Sequence, residues 1–77
     1  MIRKMTIALR STDEVREFVR EVMPLENEYD LISGKYVIDA KSILGIYSLN
    51  LSKPLELVIR GEYGDDLTVL DKYKIQV

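Results

Sequence analysis

The run Asp39-Ala40-Lys41-Ser42-Ile43-Leu44-Gly45-Ile46-Tyr47-Ser48-Leu49 is the densest apolar cluster in the chain, and it limits the possible folds more than any other stretch. Val37-Ile38 is β-branched and follows Lys35-Tyr36, so it reads as the end of a strand. Ser42 then falls where a helix N-cap belongs, its hydroxyl able to accept a hydrogen bond from a first-turn backbone N–H. Beyond it Ile43, Ile46, Tyr47 and Leu49 recur at helical spacing, so one side of the segment can be buried. Asn50 is placed to close the helix, and Lys53-Pro54 forces an extended exit. A helix of about two turns does not hold in water alone. Tertiary contacts must hold this one.

The flanks supply those contacts. Residues 3–9 alternate, with Met5, Ile7 and Leu9 on one face, the pattern of a half-buried strand. Ser11 followed by Glu14 is a capping box, and Val15, Phe18, Val19, Val22 and Met23 then form the apolar stripe of the strongest helix in the chain. Its other face carries Arg16, Glu17, Arg20 and Glu21, read as a solvated surface with i, i+4 pairs, and Pro24 stops it. Residues 28–32 and 35–38 flank Ser33-Gly34, which predicts a hairpin with those two residues as its loop. Residues 54–60 predict a further strand with Leu55, Leu57 and Ile59 inward; Gly61 and Gly64 then break the pattern. Asp65-Asp66 can start a last short helix through Leu67 and Leu70, while Tyr73 to Val77 alternates and reads equally well as extended; the helix is the preferred reading. Residues 1–77 form a single domain with the order β-α-β-β-α-β and a short C-terminal tail. One sheet with helices on one face buries these apolar stripes most economically, and an antiparallel sheet can leave its other face polar.

Composition removes several classes of function. The chain contains no histidine and no cysteine, so disulfides and zinc sites built on those residues are excluded; no carboxylate cluster suggests another metal, and no cofactor is expected. A net charge of −2 and a pI near 5.0, with basic residues interleaved among acidic ones, argue against nucleic acid as a partner. Tyr29, Tyr36, Tyr63 and Tyr73 are scattered and read as packing residues rather than a stacking platform. No apolar stretch approaches the ~20 residues of a membrane span, and the N-terminal residues lack the apolar run of a signal peptide. A soluble cytoplasmic protein is the expectation.

Residues 41–49, Lys-Ser-Ile-Leu-Gly-Ile-Tyr-Ser-Leu, resemble the Lys-Ser-Ile-Met-Gly-x-Met-Ser-Leu segment of the HPr family, the histidine-containing phosphocarriers of the bacterial sugar phosphotransferase system. Lys41, Ser42, Ile43, Gly45, Ser48 and Leu49 match; Leu44 and Tyr47 stand for the usual methionines. The element order and hairpin spacing fit too, whereas order alone would also suit a ferredoxin-like domain. The resemblance implies an α+β, HPr-like open-faced β-sandwich, with a four-stranded antiparallel sheet covered on one face by two or three helices. It further implies that Ser42 sits where a dedicated kinase phosphorylates many relatives. Lys41, Ile43, Leu44 and Tyr47 would form a partner-binding face, Ile43, Leu44 and Tyr47 as its exposed apolar side, with Ile46 and Leu49 turned to the core.

The chain departs from that family at the residue that matters most. HPr proteins carry phosphate on a histidine in a His-Ala-Arg-Pro-like run at the start of the first helix, where this chain has Arg10-Ser11-Thr12-Asp13-Glu14. Serine and threonine form phosphoesters too stable for rapid onward transfer, and Asp13 and Glu14 repel an incoming phosphoryl group. The expected function is a regulatory or protein-binding module of the phosphotransferase system, not an enzyme and not a histidine phosphocarrier. Alternatives are a carrier with a non-histidine acceptor, of which an Asp13 acyl phosphate is the chemically conceivable form, and a relative in fold alone with an unrelated binding role. The bland reading of Ser42 is a helix cap and nothing more.

Overall fold

Alternation along each strand decides which side faces the helices, and the pairing follows from it. The computed structural model describes residues 2–62, 64 and 66–75. Strand β1 (Ile2–Ile7) leads to helix α1 (Thr12–Val22), then to strands β2 (Glu28–Ser33) and β3 (Tyr36–Asp39). Helix α2 (Ile43–Tyr47), strand β4 (Leu55–Arg60), helix α3 (Asp66–Leu70) and a 3-10 turn at Asp71–Tyr73 complete the order. The sheet is four-stranded and antiparallel throughout, in the order β1-β4-β2-β3. The fold is therefore α+β, an open antiparallel sheet with a few helices, as the alternation predicts.

One face of the sheet makes the core. Ile7, Tyr29, Leu31, Leu55, Leu57 and Ile59 are buried, and they pack with Val15, Phe18, Val19 and Val22 of α1 and with Ile46, Leu49 and Leu70. Each fully buried aliphatic or aromatic side chain contributes roughly 1.5–3 kcal/mol relative to exposure. Leu9 is buried as its spacing predicts, but from the connection after β1, since the strand ends at Ile7. Met23 departs from the expected stripe: it is the C-cap of α1 and lies exposed, because Pro24 ends the helix there. At the other end Ser11 Oγ accepts from the Glu14 N–H at 3.1 Å, while the Glu14 carboxylate accepts from the Arg10 N–H at 2.7 Å. The second half of the capping box thus reaches one residue further back than the usual pattern.

The hairpin loop is Gly34-Lys35, one residue later than the sequence suggests. Gly34 has φ +60°, while Lys35 keeps a negative φ. A two-residue loop with glycine in the first position is the II′ arrangement, whose twist matches the flanking strands. Ser33 accordingly pairs with Tyr36 as the last rung of β2.

Helix α2 lies against β3 at unusually short range. A Cβ on Gly45 would sit 2.6 Å from Ile38 Cγ2 and 3.1 Å from Ser42 Oγ, so glycine is needed here for close approach rather than for backbone conformation. The helix ends earlier than expected. Ser48, not Asn50, is the C-cap, with its hydroxyl donating to the Gly45 carbonyl at 2.6 Å. Asn50 instead builds the next turn, accepting from the Ser52 N–H at 3.1 Å.

The C-terminal stretch combines both readings of the sequence: helical through Leu70, then extended at Lys74. Tyr63, Asp65, Gln76 and Val77 lie outside the described residues. The Ala8 N–H donates to the Tyr73 carbonyl and the Ile75 N–H to the Thr6 carbonyl, both at 3.0 Å, so this tail runs along part of β1's outer edge. Tyr73 meets Phe18 edge to face at 5.3 Å between ring centres. Lys72 donates to the Glu17 carboxylate at 2.6 Å and to Glu21, and its hydrogen bond holds the Glu17 carboxyl below its ordinary range. The helix face read as solvated is exposed at Arg16 and Arg20, and at Glu17 and Glu21 it also anchors the tail. Within the helix, Asp13 pairs with Arg16 at 2.9 Å in an i, i+3 arrangement. Among the described residues no helix is long and apolar enough to cross a membrane.

Two outcomes follow from this packing. Gly45→Ala should destabilise the protein by about 1–3 kcal/mol through overpacking, against the roughly 1 kcal/mol that alanine gains in helix propensity. In an Ile38→Ala background the same change should be neutral or stabilising, and a denaturation double-mutant cycle reads the coupling. The second concerns Tyr73, whose buried hydroxyl makes no well-formed hydrogen bond among the described residues; burial first, then the charge of nearby Glu21, pushes its pKa up to about 12. A raised folded-state pKa means stability that is present below the unfolded value near 10 and is lost as pH rises toward 12. Tyr73→Phe should flatten the part of the alkaline fall in Tm due to Tyr73 and leave the neutral-pH Tm at or above the original.

Candidate functional site

The approach to α2 is organised by Asp39. Its carbonyl accepts from the Ser42 N–H at 3.0 Å, and its Oδ1 accepts from the Lys41 N–H at 2.9 Å. These bonds turn the chain out of β3 and deliver Ser42 as the N-cap of α2, with φ −97° and ψ 100°. Ser42 Oγ accepts from the Gly45 N–H at 3.2 Å, and the Ser42 carbonyl accepts from the Ile46 N–H at 3.0 Å. Ser42 is exposed, so a modifying enzyme can reach its hydroxyl.

The five residues of α2 then divide by face. Ile46 is buried and Ile43 is half-buried against the core, whereas Leu44 is 81% exposed and Tyr47 is 40% exposed. Leu44 and Tyr47 are three residues apart and share one stripe of the helix. Ile43, which the resemblance puts with them on the outer apolar face and helical spacing puts inward, helps to seat the helix, while Tyr47, grouped inward by the same spacing, lies outward. Ile46 and Leu49 are turned inward. Lys41 is engaged elsewhere: its ammonium donates to the Leu25 carbonyl at 2.7 Å and lies 5.7 Å from the Tyr29 ring centre. It ties the start of the site to the end of the α1 connection.

Ser42 and Asp13 are the two residues here that the sequence offers as phosphate acceptors. Ser42 Oγ accepts the Gly45 N–H, and its own proton stays available for donation. Asp13, the conceivable alternative acceptor, lies exposed in the first turn of α1 with its carboxylate on the Arg16 guanidinium at 2.9 Å. Among the described residues no group of three or more acidic side chains is gathered closely enough to hold a metal ion.

Sequence reasoning missed a second feature. A cleft of about 240 Å³ brings Glu28, Asp30, Asp39, Lys41 and Arg60 together from three separate stretches. Asp30 lies directly across from Asp39, and Arg60 reaches both Asp30 and, at 3.8 Å, Glu28. Like charges opposed across strands are unfavourable, and Arg60 offsets the cost. The signal was the strand register, which spacing along the chain does not reveal. Comparison with known proteins finds no family model that matches this chain and no curated protein that matches its sequence.

Proposed function

We propose that this chain is an HPr-like regulatory module of the phosphotransferase type, one that docks a protein partner through the outward side of α2, is gated at Ser42 and does not act as a histidine phosphocarrier. The observation that carries the reading is the position of Leu44 and Tyr47, side by side and exposed, on a helix that begins at an exposed serine. The antiparallel four-stranded sheet and the β-α-β-β-α-β order are compatible with that family. Its strand order, with β1 and β3 at the edges, sets it apart from a ferredoxin-like arrangement, which has those strands in the centre. The 77 residues contain no histidine to carry phosphate.

The proposed switch is electrostatic. Phosphorylation of Ser42 would add about two negative charges one residue from Ile43 and two from Leu44. An apolar surface accepted by one partner then becomes a charged one suited to another.

Intact-mass spectrometry after two incubations tests the proposal. With ATP and the kinase that acts on HPr serine, one acid-stable phosphate is expected, and it should be absent from Ser42→Ala. With phosphoenolpyruvate and the general enzyme that charges HPr, no acid-labile phosphate is expected; its appearance would contradict the loss of carrier function. Leu44→Glu should change stability by no more than about 0.5 kcal/mol, so any lost partner binding reports the face itself.

A further inference from the structure

We infer that strand β3, the edge of the sheet with no tail along it among the described residues, pairs with β3 of a second copy of this chain, joining two four-stranded sheets into one of eight strands. The two edges of the sheet are treated differently. On the β1 side, the Thr6 carbonyl and the Ala8 N–H are bonded to the tail at Ile75 and Tyr73. Among the described residues, β3 has β2 on one side and no strand on the other. Edge strands left open are templates for pairing, and they are usually blunted by brevity, charge, proline or a bulge. Tyr36-Val37-Ile38-Asp39 is short and ends in a charge, but it has no proline, lysine or bulge in its span, and Tyr36 and Val37 are 64% and 62% exposed.

Geometry selects the register. Ser33 and Tyr36 close the two-residue loop as a hydrogen-bonded pair, and the Ala40 N–H donates to the Tyr29 carbonyl, so residues 36, 38 and 40 direct their backbone groups at β2. Val37 therefore directs its N–H and carbonyl outward. An antiparallel two-fold centred on Val37 lets the two copies exchange both of these bonds, Val37 to Val37. The same register brings Lys35 of each copy opposite Asp39 of the other, two complementary charge pairs. The neighbouring register, centred on Ile38, would instead oppose Lys35 to Lys41.

Side chains on both faces agree with the Val37-centred register. On the open face Val37 lies opposite Ile32 of β2, so the junction would carry an apolar row from Ile32 through both Val37 side chains to the second Ile32. On the helix side each exposed Tyr36 would cover Ile38 of the other copy. The overlap is only four residues a side, well below the roughly 800 Å² per partner of a standard stable interface. The dimer is accordingly weak and dependent on concentration. The exposed Lys35–Asp39 pairs set register more than strength.

Sedimentation velocity from roughly 10 μM to roughly 1 mM, a range that brackets weak association, tests the inference. The unmodified chain should shift from monomer to dimer across that range. Val37→Pro removes an outward N–H that the monomer's own sheet does not use, so it should keep the monomer fold by circular dichroism and abolish the dimer. Lys35→Glu should weaken association several-fold, and more so at low salt. A monomer at every concentration, or a dimer indifferent to both Val37→Pro and Lys35→Glu, would overturn the inference. None of these readings depends on phosphate chemistry or on a partner at α2.

Discussion

The outward side of α2 depends on how closely the helix can lie on β3. Five residues cannot hold a helix by propensity, because nucleation costs more than so few hydrogen bonds return. The absent side chain of Gly45, with its Cβ position 2.6 Å from Ile38 Cγ2, lets the backbone settle against the strand. Once it does, Ile46 is enclosed and Ile43 is half-enclosed, and 3.6-residue periodicity leaves Leu44 and Tyr47 turned outward. The cap at Ser42 and the closure at Ser48 fix the two ends of a helix already held in place by packing.

The remainder of the molecule is a frame for that arrangement. β4 and β2 hold the centre of the sheet and carry most of the inward-facing apolar side chains of the strands, while β1 and β3 lie at the edges. α1 covers the core, and the tail is fastened to it by Lys72 on Glu17 and Glu21 and by Tyr73 on Phe18. The outer face is polar but not bare: Val58 is buried there between its register neighbours Lys4 and Asp30. The tail covers one end of the β1 edge, while among the described residues no strand lies beside β3 on its outer side.

What could be read from the sequence was whatever depends on local periodicity. The caps at Ser11 and Ser42, the stripe Val15-Phe18-Val19-Val22 and the inward set Leu55-Leu57-Ile59 are all visible as spacing, and the structure has them as expected. The errors came where tertiary contact outweighs pattern. Met23 fits the helical stripe by count but falls on the cap; Tyr47 fits the inward spacing of α2 with Ile43 and Ile46 but lies 40% exposed. The loop slipped to Gly34-Lys35 because Gly34 is needed at its first position, a choice that Ser33-Gly34 as a dipeptide does not disclose. Glu17 and Glu21 looked solvated because their partner, Lys72, is more than fifty residues away. For the same reason the opposition of Asp30 and Asp39 could be seen only once the register was known.

Amide hydrogen exchange across α2 tests the central claim most directly. If the helix is held by its seat on β3, the Ile46 and Leu49 amides, bonded to the Ser42 and Ile46 carbonyls, open only when that seat is lost. They should then exchange far more slowly than the amides of the Gly34-Lys35 loop. Exchange of Ile46 and Leu49 at loop-like rates would mean that α2 is not fixed by this contact. It would also mean that the Leu44 and Tyr47 face has no defined shape to offer a partner.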